Sequence, residues 1–357
     1  MKKNIRLMIA LITFGVIMWQ CNQNDAYVSN LSTKGTFQTN SQKLNTAVNA
    51  ISATDGYQVL SVDDSELKSA TTDNEWYHAD SIELADISGV YEFNPSPRSF
   101  RCHRCSYRLF SKTDDSDQLI IKLPDESAFH PWRLRYVDPQ DTSMSNNFVI
   151  TATDYHYYFQ YGMMYDYGLS ASFNKDSVNI GQLDVQSNRT GYHNYMYSSA
   201  YHFDNNYSVN FSSESGDTAK YSFSLMDGSD VLLKEMTTYI YPTDSTDREK
   251  TYSLQIGDIE IVRTSGSDSI EVYQNGELQQ DVTAEFIDQS SDSSMHSICH
   301  QRDIQITFAD STTTTVSELI SPSKEILAGL MESMKSNNFS KHLIDYVAWN
   351  IYKNEND

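Results

Sequence analysis

The stretch YSVNFSSESGDTAKYSFSLMDGSDVLLKEMTTYIY, Tyr207 to Tyr241, decides the fold class of this chain. It contains three runs with the composition of β-strands, at Tyr207 to Phe211, Ala219 to Leu225 and Val231 to Tyr241. Ser215-Gly216-Asp217 separates the first two runs and Asp227-Gly228 the last two, and such turn sequences join neighbouring antiparallel strands. The stretch therefore predicts an antiparallel meander.

The strand pattern continues on both sides of this stretch. Earlier strands are predicted at Gly89 to Phe93, Leu119 to Leu123 and Phe148 to Thr151. Later ones are predicted at Ile270 to Tyr273, Leu278 to Phe286, Ile304 to Phe308 and Thr312 to Val316. Asn275-Gly276 is the strongest hairpin signal, because both residues accept the positive φ angles of a tight turn. Helical crossovers, which a parallel sheet needs, are absent from the pattern.

Helices are predicted only near the two ends of the chain. Leu44, Val48 and Ile51 recur at helical spacing within Ser41 to Thr54, which predicts a short N-terminal helix. At the other end, Ser321 is a suitable N-cap with Pro322 after it, and a second helix is predicted from Ser340. We expect this C-terminal helical hairpin to cover an open face of the sheet.

These patterns predict a mainly β protein with antiparallel meander or sandwich-like sheets. The predicted organisation is a signal peptide at 1–20, a lipid-attachment cysteine and polar spacer at 21–80, and an aromatic-rich β domain at 81–250. A β-hairpin region at 251–320 and helices at 321–357 follow. The N-terminal helix suits either partner docking or the spacer, which would hold the folded body away from a membrane.

The first residues have the layout of a secretory signal peptide. Lys2, Lys3 and Arg6 precede the apolar run Leu7 to Trp19, which is shorter than the roughly 20 residues that a membrane-spanning helix needs. The position of Cys21 resembles the lipobox of bacterial lipoproteins, which implies a lipidated cysteine as the first mature residue. Gln20 stands where a small residue is usual, so ordinary cleavage nearby and an uncleaved anchor remain as alternatives.

The charge of the chain excludes some partners. The net charge is −22, and loss of the signal peptide would remove three further positive charges. Nucleic-acid binding requires a basic surface, and electrostatic adhesion to an anionic membrane requires one as well. The predicted membrane contact is therefore the lipid alone.

The remaining cysteines are Cys102, Cys105 and Cys299. A structural disulfide between two of them is one interpretation, since an exported chain meets an oxidising environment. Unpaired thiols, a zinc site formed with a histidine beside Cys299, and redox catalysis by the CxxC pair are the alternatives.

Tyrosines are concentrated between Asp154 and Phe211. Stacking of sugar rings on aromatic side chains would make this block a glycan-binding surface, and the candidate residues are Tyr155, Tyr157, Tyr161, Tyr192, Tyr195, Tyr197 and Tyr201. The alternative is that these tyrosines are cross-strand pairs and core residues. No catalytic motif, metal-ligand spacing or cofactor fingerprint occurs in the sequence. A hydrolase is the third hypothesis, because glycosidase carboxylates leave no short motif.

The segments LPD at Leu123, HPWRL at His130, NNFVI at Asn146 and IGQLD at Ile180 resemble parts of uncharacterised lipoproteins of gut Bacteroidota. This resemblance implies an outer-membrane lipoprotein facing the periplasm or the cell surface, and it implies no activity. The sequence thus predicts an exported, lipid-anchored, non-enzymatic envelope component that binds a polysaccharide or a surface protein. A structural subunit of a fimbria-like assembly is the alternative.

Overall fold

A computed structural model of the chain describes residues 32–61, 81–94, 110–125, 145–160, 164–191, 193–241, 249–267, 269–288, 302–335 and 339–356. The predicted signal peptide, Cys21, Cys102, Cys105, Cys299, Tyr161 and Tyr192 lie outside these residues. The predictions of export, lipidation and disulfide bonding therefore stay predictions.

The larger of two sheets in the described residues has fifteen strands. They are β1 Ser81–Glu83, β2 Gly89–Phe93, β3 Phe110–Asp114, β4 Leu119–Leu123, β5 Phe148–Gln160, β6 Met164–Lys175, β7 Val178–Arg189, β8 Tyr195–Phe203, β9 Tyr207–Ser215, β10 Thr218–Asp227, β11 Asp230–Ile240, β12 Glu249–Ile256, β13 Ile259–Thr264, β14 Glu271–Gln274 and β15 Glu277–Leu278. From β5 to β15 each strand pairs antiparallel with the next along the chain. The predicted antiparallel meander is confirmed, although β2 and β4 pair in parallel at one end of the sheet.

A second sheet contains β16 Thr283–Asp288, β17 Arg302–Thr307 and β18 Thr313–Thr315. The predicted single strand from Leu278 to Phe286 is wrong. The polar residues Gln279, Gln280 and Asp281 interrupt it, so β15 ends at Leu278 and the chain enters the second sheet at Thr283. The predicted boundary after residue 250 does not divide the meander, because β12 runs across it.

The N-terminal helix is longer and more deeply packed than the sequence suggested. Helix α1 covers Thr33–Ser52, and the short helices α2 and α3 cover Asp55–Leu60 and Leu84–Ile87. Phe37 and Leu44 of α1 are buried in the main core. The predicted polar spacer is therefore wrong for residues 32–61. The polar composition around Phe37 concealed the first two turns of an amphipathic helix whose apolar positions continue to Ile51.

The predicted C-terminal helical hairpin is confirmed. It consists of α4 Val316–Ile320, a 3₁₀ turn at Ser321–Ser323, α5 Lys324–Lys335 and α6 Phe339–Asn356. The predicted N-cap at Ser321 is wrong, because Thr315 caps α4 in a capping box with Glu318. Pro322 is accommodated in the 3₁₀ turn between the two helices.

The helices cover one face of the large sheet, which we call the inner face. Along β7, the buried side chains of Leu183 and Val185 alternate with the more exposed Gln182 and Gln186 of the outer face. The apolar residues of α5 and α6 are buried in the same core as the inner-face side chains. In the part of the chain that the structure describes, no helix is both long and apolar enough to cross a membrane.

Candidate functional site

Tyrosines occupy two neighbouring cross-strand rows of the inner face, near the edge where β5, β7 and β9 end and β6, β8 and β10 begin. The first row contains Tyr157, Tyr167, Ser187, Tyr197, Ser213, Tyr221, Thr237, Tyr252 and Arg263, from β5 to β13. The second row contains Tyr165, Arg189, Tyr195 and Ser215 on β6 to β9, and Ala219, Tyr239 and Lys250 on β10 to β12. We call the tyrosines of these two rows the tyrosine band.

The period of two along each strand places these residues on one face. Tyr165 and Tyr167 are two residues apart on β6, as Tyr195 and Tyr197 are on β8. The antiparallel register then brings the pairs of adjacent strands side by side. The band therefore follows from local alternation combined with the meander.

Ring contacts join the tyrosines on β5 and β6. The ring centroids of Tyr157 and Tyr165 are 5.8 Å apart in an edge-to-face arrangement, and those of Tyr165 and Tyr167 are 6.4 Å apart and nearly parallel. Tyr155, one row closer to the centre of the sheet, lies 6.0 Å from Tyr167. These distances are typical of stabilising aromatic pairs, so this part of the band is a packed unit.

Asp345 of helix α6 binds two tyrosines of this unit and also forms a buried ion pair with Lys341 of the same helix. Oδ1 of Asp345 accepts hydrogen bonds from the hydroxyls of Tyr155 at 3.2 Å and Tyr167 at 3.0 Å. Nζ of Lys341 lies 2.5 Å from Oδ2 of Asp345 and 4.2 Å from the ring centre of Tyr167. Burial and the Asp345 charge raise the pKa of both tyrosines well above the usual range, so their hydroxyls remain protonated donors.

Tyr197, the next tyrosine of the first row, binds the last turn of α5. The hydroxyls of Tyr197 and Ser199 both donate to the carbonyl oxygen of Met334, at 3.0 and 2.9 Å. This carbonyl is near a helix C-terminus, where backbone acceptors have no partner within the helix. Burial raises the pKa of Tyr197 to about 12. Tyr197 therefore acts as a fixed structural contact.

The band becomes exposed beyond the helices. Tyr195 is 38% exposed and Tyr221 is 45% exposed, while Tyr157 and Tyr165 are half-buried beside them. Ser213 and Ser215 of β9 lie on the same face between Tyr195 and Tyr221. The exposed end of the band thus combines aromatic rings with hydroxyl groups.

The predicted tyrosines fall into two groups in the structure. Tyr155, Tyr197 and Tyr201 are buried and fill the core, which was the alternative interpretation of the aromatic block. The ring centroids of Tyr201 and Phe203 are 4.9 Å apart, and the Tyr201 hydroxyl has no hydrogen-bond partner among the described residues. Tyr157 and Tyr195 belong to the accessible part of the band.

Five members of the band were not among the predicted residues: Tyr165, Tyr167, Tyr221, Tyr239 and Tyr252. Tyr165 and Tyr221 lie near the starts of β6 and β10. Their alignment with Tyr157 and Tyr195 depends on strand register. In the sequence, only the predicted turn at Ser215-Gly216-Asp217 indicated this alignment, because the register of β9 and β10 can be counted outward from the turn.

A carboxylate lies beside the band, in the row toward the sheet centre. Glu235 of β11 is flanked across the strands by Phe223 and Leu254. Burial raises the pKa of Glu235 from 4.5 to about 7, and this outweighs the lowering effects of its hydrogen bond with Tyr252 and of the Lys335 charge.

The outer face carries a shallow groove of about 330 Å³ over β7 to β10. Small polar side chains supply much of its lining, including Gln186, Ser198, Ser212 and Ser222. It offers hydroxyl and amide groups without an exposed aromatic platform. Within the described ranges, no group of three or more His, Cys, Asp or Glu residues is arranged to hold a metal ion. The tyrosine band is therefore the stronger candidate site.

Comparisons with known proteins supply no relative from which a role could be transferred. No protein-family model, curated protein or solved structure matches this chain.

Proposed function

We propose that this protein is an exported, lipid-anchored envelope component that binds a carbohydrate through the exposed end of the tyrosine band. The observation that carries the proposal is the pair of exposed rings, Tyr195 and Tyr221, on one face with Ser213 and Ser215 between them. A surface ligand with both apolar and hydroxyl faces matches this combination.

The energetics favour such a ligand. The ring faces of Tyr195 and Tyr221 present apolar area to water, and covering it is worth about 25 cal/mol per Å². The tyrosine and serine hydroxyls can exchange hydrogen bonds with sugar hydroxyls at little net cost. The packed rings of Tyr157 and Tyr165 lie beside the site on the same face, and this ordered surround limits the entropy lost on binding.

Binding is tested by exposing the purified full-length protein to a polysaccharide array and titrating each positive ligand. We expect Tyr195→Ala and Tyr221→Ala each to weaken binding about tenfold, which corresponds to about 1.4 kcal/mol. Tyr158→Ala is the matched control, since Tyr158 is 41% exposed but lies on the outer face. An array without a positive ligand would contradict the proposal, and so would equal losses in all three variants.

The anchor is proposed from the apolar run Leu7 to Trp19 and from Cys21. The resemblance to surface lipoproteins of gut Bacteroidota supports the same location. The test is metabolic labelling with palmitate, followed by protease treatment of intact cells. Wild-type protein should carry label and Cys21→Ala protein should not. Equal labelling of the two proteins would exclude this anchor, and protease access would distinguish the cell surface from the periplasm.

A further inference from the structure

The charged residues in the two rows of the tyrosine band are all positive. Arg189, Lys250 and Arg263 occupy register positions in these rows, and none of the described positions in either row holds Asp or Glu. This contrasts with the whole chain, in which 48 acidic residues outnumber 26 Lys and Arg. The band is therefore a locally basic strip on an acidic protein.

The cations at the two sides of the exposed tyrosines are available to a ligand. Nε of Arg189 donates to the carbonyl oxygen of Gly191 at 3.0 Å, and its terminal nitrogens have no partner among the described residues. Nζ of Lys250 lies 5.3 Å from the ring centre of Tyr239 and forms no ion pair with a described residue. Arginine binds carboxylate or sulfate oxygens in a bidentate manner, and lysine binds them as a point charge.

Among the residues that the structure describes, nearby carboxylates do not neutralise these cations. Asp345 is buried and paired with Lys341. Glu235 is in the adjacent row and is partly protonated near neutral pH. Asp217 is in the turn beyond Ser215 and is exposed, where screening weakens its effect.

The spacing of the cations sets the size of the ligand. Arg189 is on β7 and Lys250 is on β12, so five strand spacings separate them. At about 4.8 Å per spacing, the two residues are roughly 24 Å apart along the row. A single sugar ring cannot reach both, whereas an extended oligosaccharide can lie across the strands over Tyr195 and Tyr221.

We infer that the ligand of the tyrosine band is an anionic polysaccharide, carrying carboxylate or sulfate groups, which lies across the strands between Arg189 and Lys250. This inference rests on the proposed carbohydrate binding and specifies its chemical class. The overall negative charge of the protein repels polyanions, whereas the positive charges of this strip attract them locally.

The test compares dextran with dextran sulfate, which share one backbone, and adds polygalacturonate as a carboxylated probe. Each is titrated into the full-length protein and into Arg189→Gln, Lys250→Gln and Tyr195→Ala variants. Lys234→Gln is the matched control, because Lys234 lies on the outer face of β11. Circular dichroism establishes that every variant is folded.

We expect at least one anionic probe to bind at least tenfold more tightly than dextran, with a loss of about fivefold in each cation variant and none in Lys234→Gln. Tyrosine-dependent binding of dextran that equals the binding of both anionic probes would overturn this inference and leave the proposed function intact. Anionic binding that is unaffected by Tyr195→Ala would overturn both. Failure of both anionic probes to bind would overturn the inference alone, and the array then decides the proposed function.

Discussion

The hydroxyl of Tyr167 on β6 donates a hydrogen bond of 3.0 Å to Oδ1 of Asp345 on α6, although the two residues are 178 positions apart in the chain. Lys341, one turn earlier on α6, pairs with the other oxygen of the same carboxylate. The buried charges are thus compensated on both oxygens, and the C-terminal helix is fixed to the sheet at a defined position. The same carboxylate fixes Tyr155 and Tyr167, which lie on the same face as the candidate site.

Asp345→Asn should therefore lower the free energy of unfolding by about 3 kcal/mol. The substitution leaves the Lys341 ammonium buried without its counter-charge, which is the costly case for a buried pair. Urea denaturation followed by circular dichroism measures the change. In the double variant Lys341→Met/Asp345→Asn both charges are absent while the amide oxygen can still accept from Tyr155 and Tyr167, and most of the stability should return. A loss below about 1 kcal/mol in Asp345→Asn would show that the pair does not secure α6.

Glu235 should make the protein more stable at pH 5 than at pH 8. Its pKa is about 7 in the folded protein and 4.5 ordinarily, so between these values the folded state holds a proton that the unfolded state has lost. The contribution is complete below pH 4.5, decreases as the pH rises, and is lost above pH 7. We expect the difference to be about 1–3 kcal/mol, after allowance for solvent screening.

The measurement is urea denaturation of wild type and Glu235→Gln at both pH values. The variant has no ionisable group at this position, so it should be more stable than wild type at pH 8 and should show a smaller pH dependence. Parallel pH profiles for the two proteins would contradict the assigned burial of Glu235. Other titrating groups are common to both proteins and cancel in the comparison.

Thr315→Ala should destabilise the protein by about 1 kcal/mol, because it removes the side-chain acceptor for the Glu318 amide at the start of α4. Ser321→Ala is the matched control, since the Ser321 side chain is exposed in the 3₁₀ turn, and a change within about 0.5 kcal/mol is expected. Thermal unfolding of the two variants distinguishes the observed N-cap from the one that the sequence suggested.

The sequence predicted the meander well because each hairpin is encoded locally. Asn275-Gly276 has positive φ at both residues and joins β14 to β15 as expected. Features that depend on distant partners were not predictable in the same way. Thr36 and Asn40 are polar but buried, because they bond to Gln274 and to the Ile256 carbonyl far along the chain. A polar helix face of this kind is indistinguishable from a solvated spacer until its partners are known.

In the candidate site too, local features could be predicted from the sequence and features that depend on distant partners could not. Alternation along one strand identified Tyr155 and Tyr157, yet it could not separate the buried tyrosine from the half-buried one. The difference arises from α6, which covers Tyr155 through Asp345. Exposure at Tyr195 likewise depends on where the helices end. Site prediction therefore required the placement of two helices that follow Tyr195 by more than 100 residues.

Gly257, in the turn between β12 and β13, provides a test of the docking of α1. It has φ of +63°, and a Cβ atom there would lie 2.5 Å from side-chain atoms of Asn40. Asn40 cannot move away freely, because its Nδ2 donates to the Ile256 carbonyl at 2.9 Å and to Oδ1 of Asp258 at 2.6 Å. Gly257→Ala should therefore destabilise the protein through backbone strain and through the loss of these hydrogen bonds, by about 2–4 kcal/mol in total.

Gly276→Ala separates these two causes. Gly276 has φ of +79° in a comparable hairpin turn, but nothing lies within 4 Å of its Cβ position. It should show the strain alone, about 1 kcal/mol. The excess loss in Gly257→Ala then measures the contact with Asn40, and this excess should disappear when both variants are made in an Asn40→Ala background. If Gly257→Ala and Gly276→Ala are equally destabilising in the wild-type background, α1 is not held at this turn.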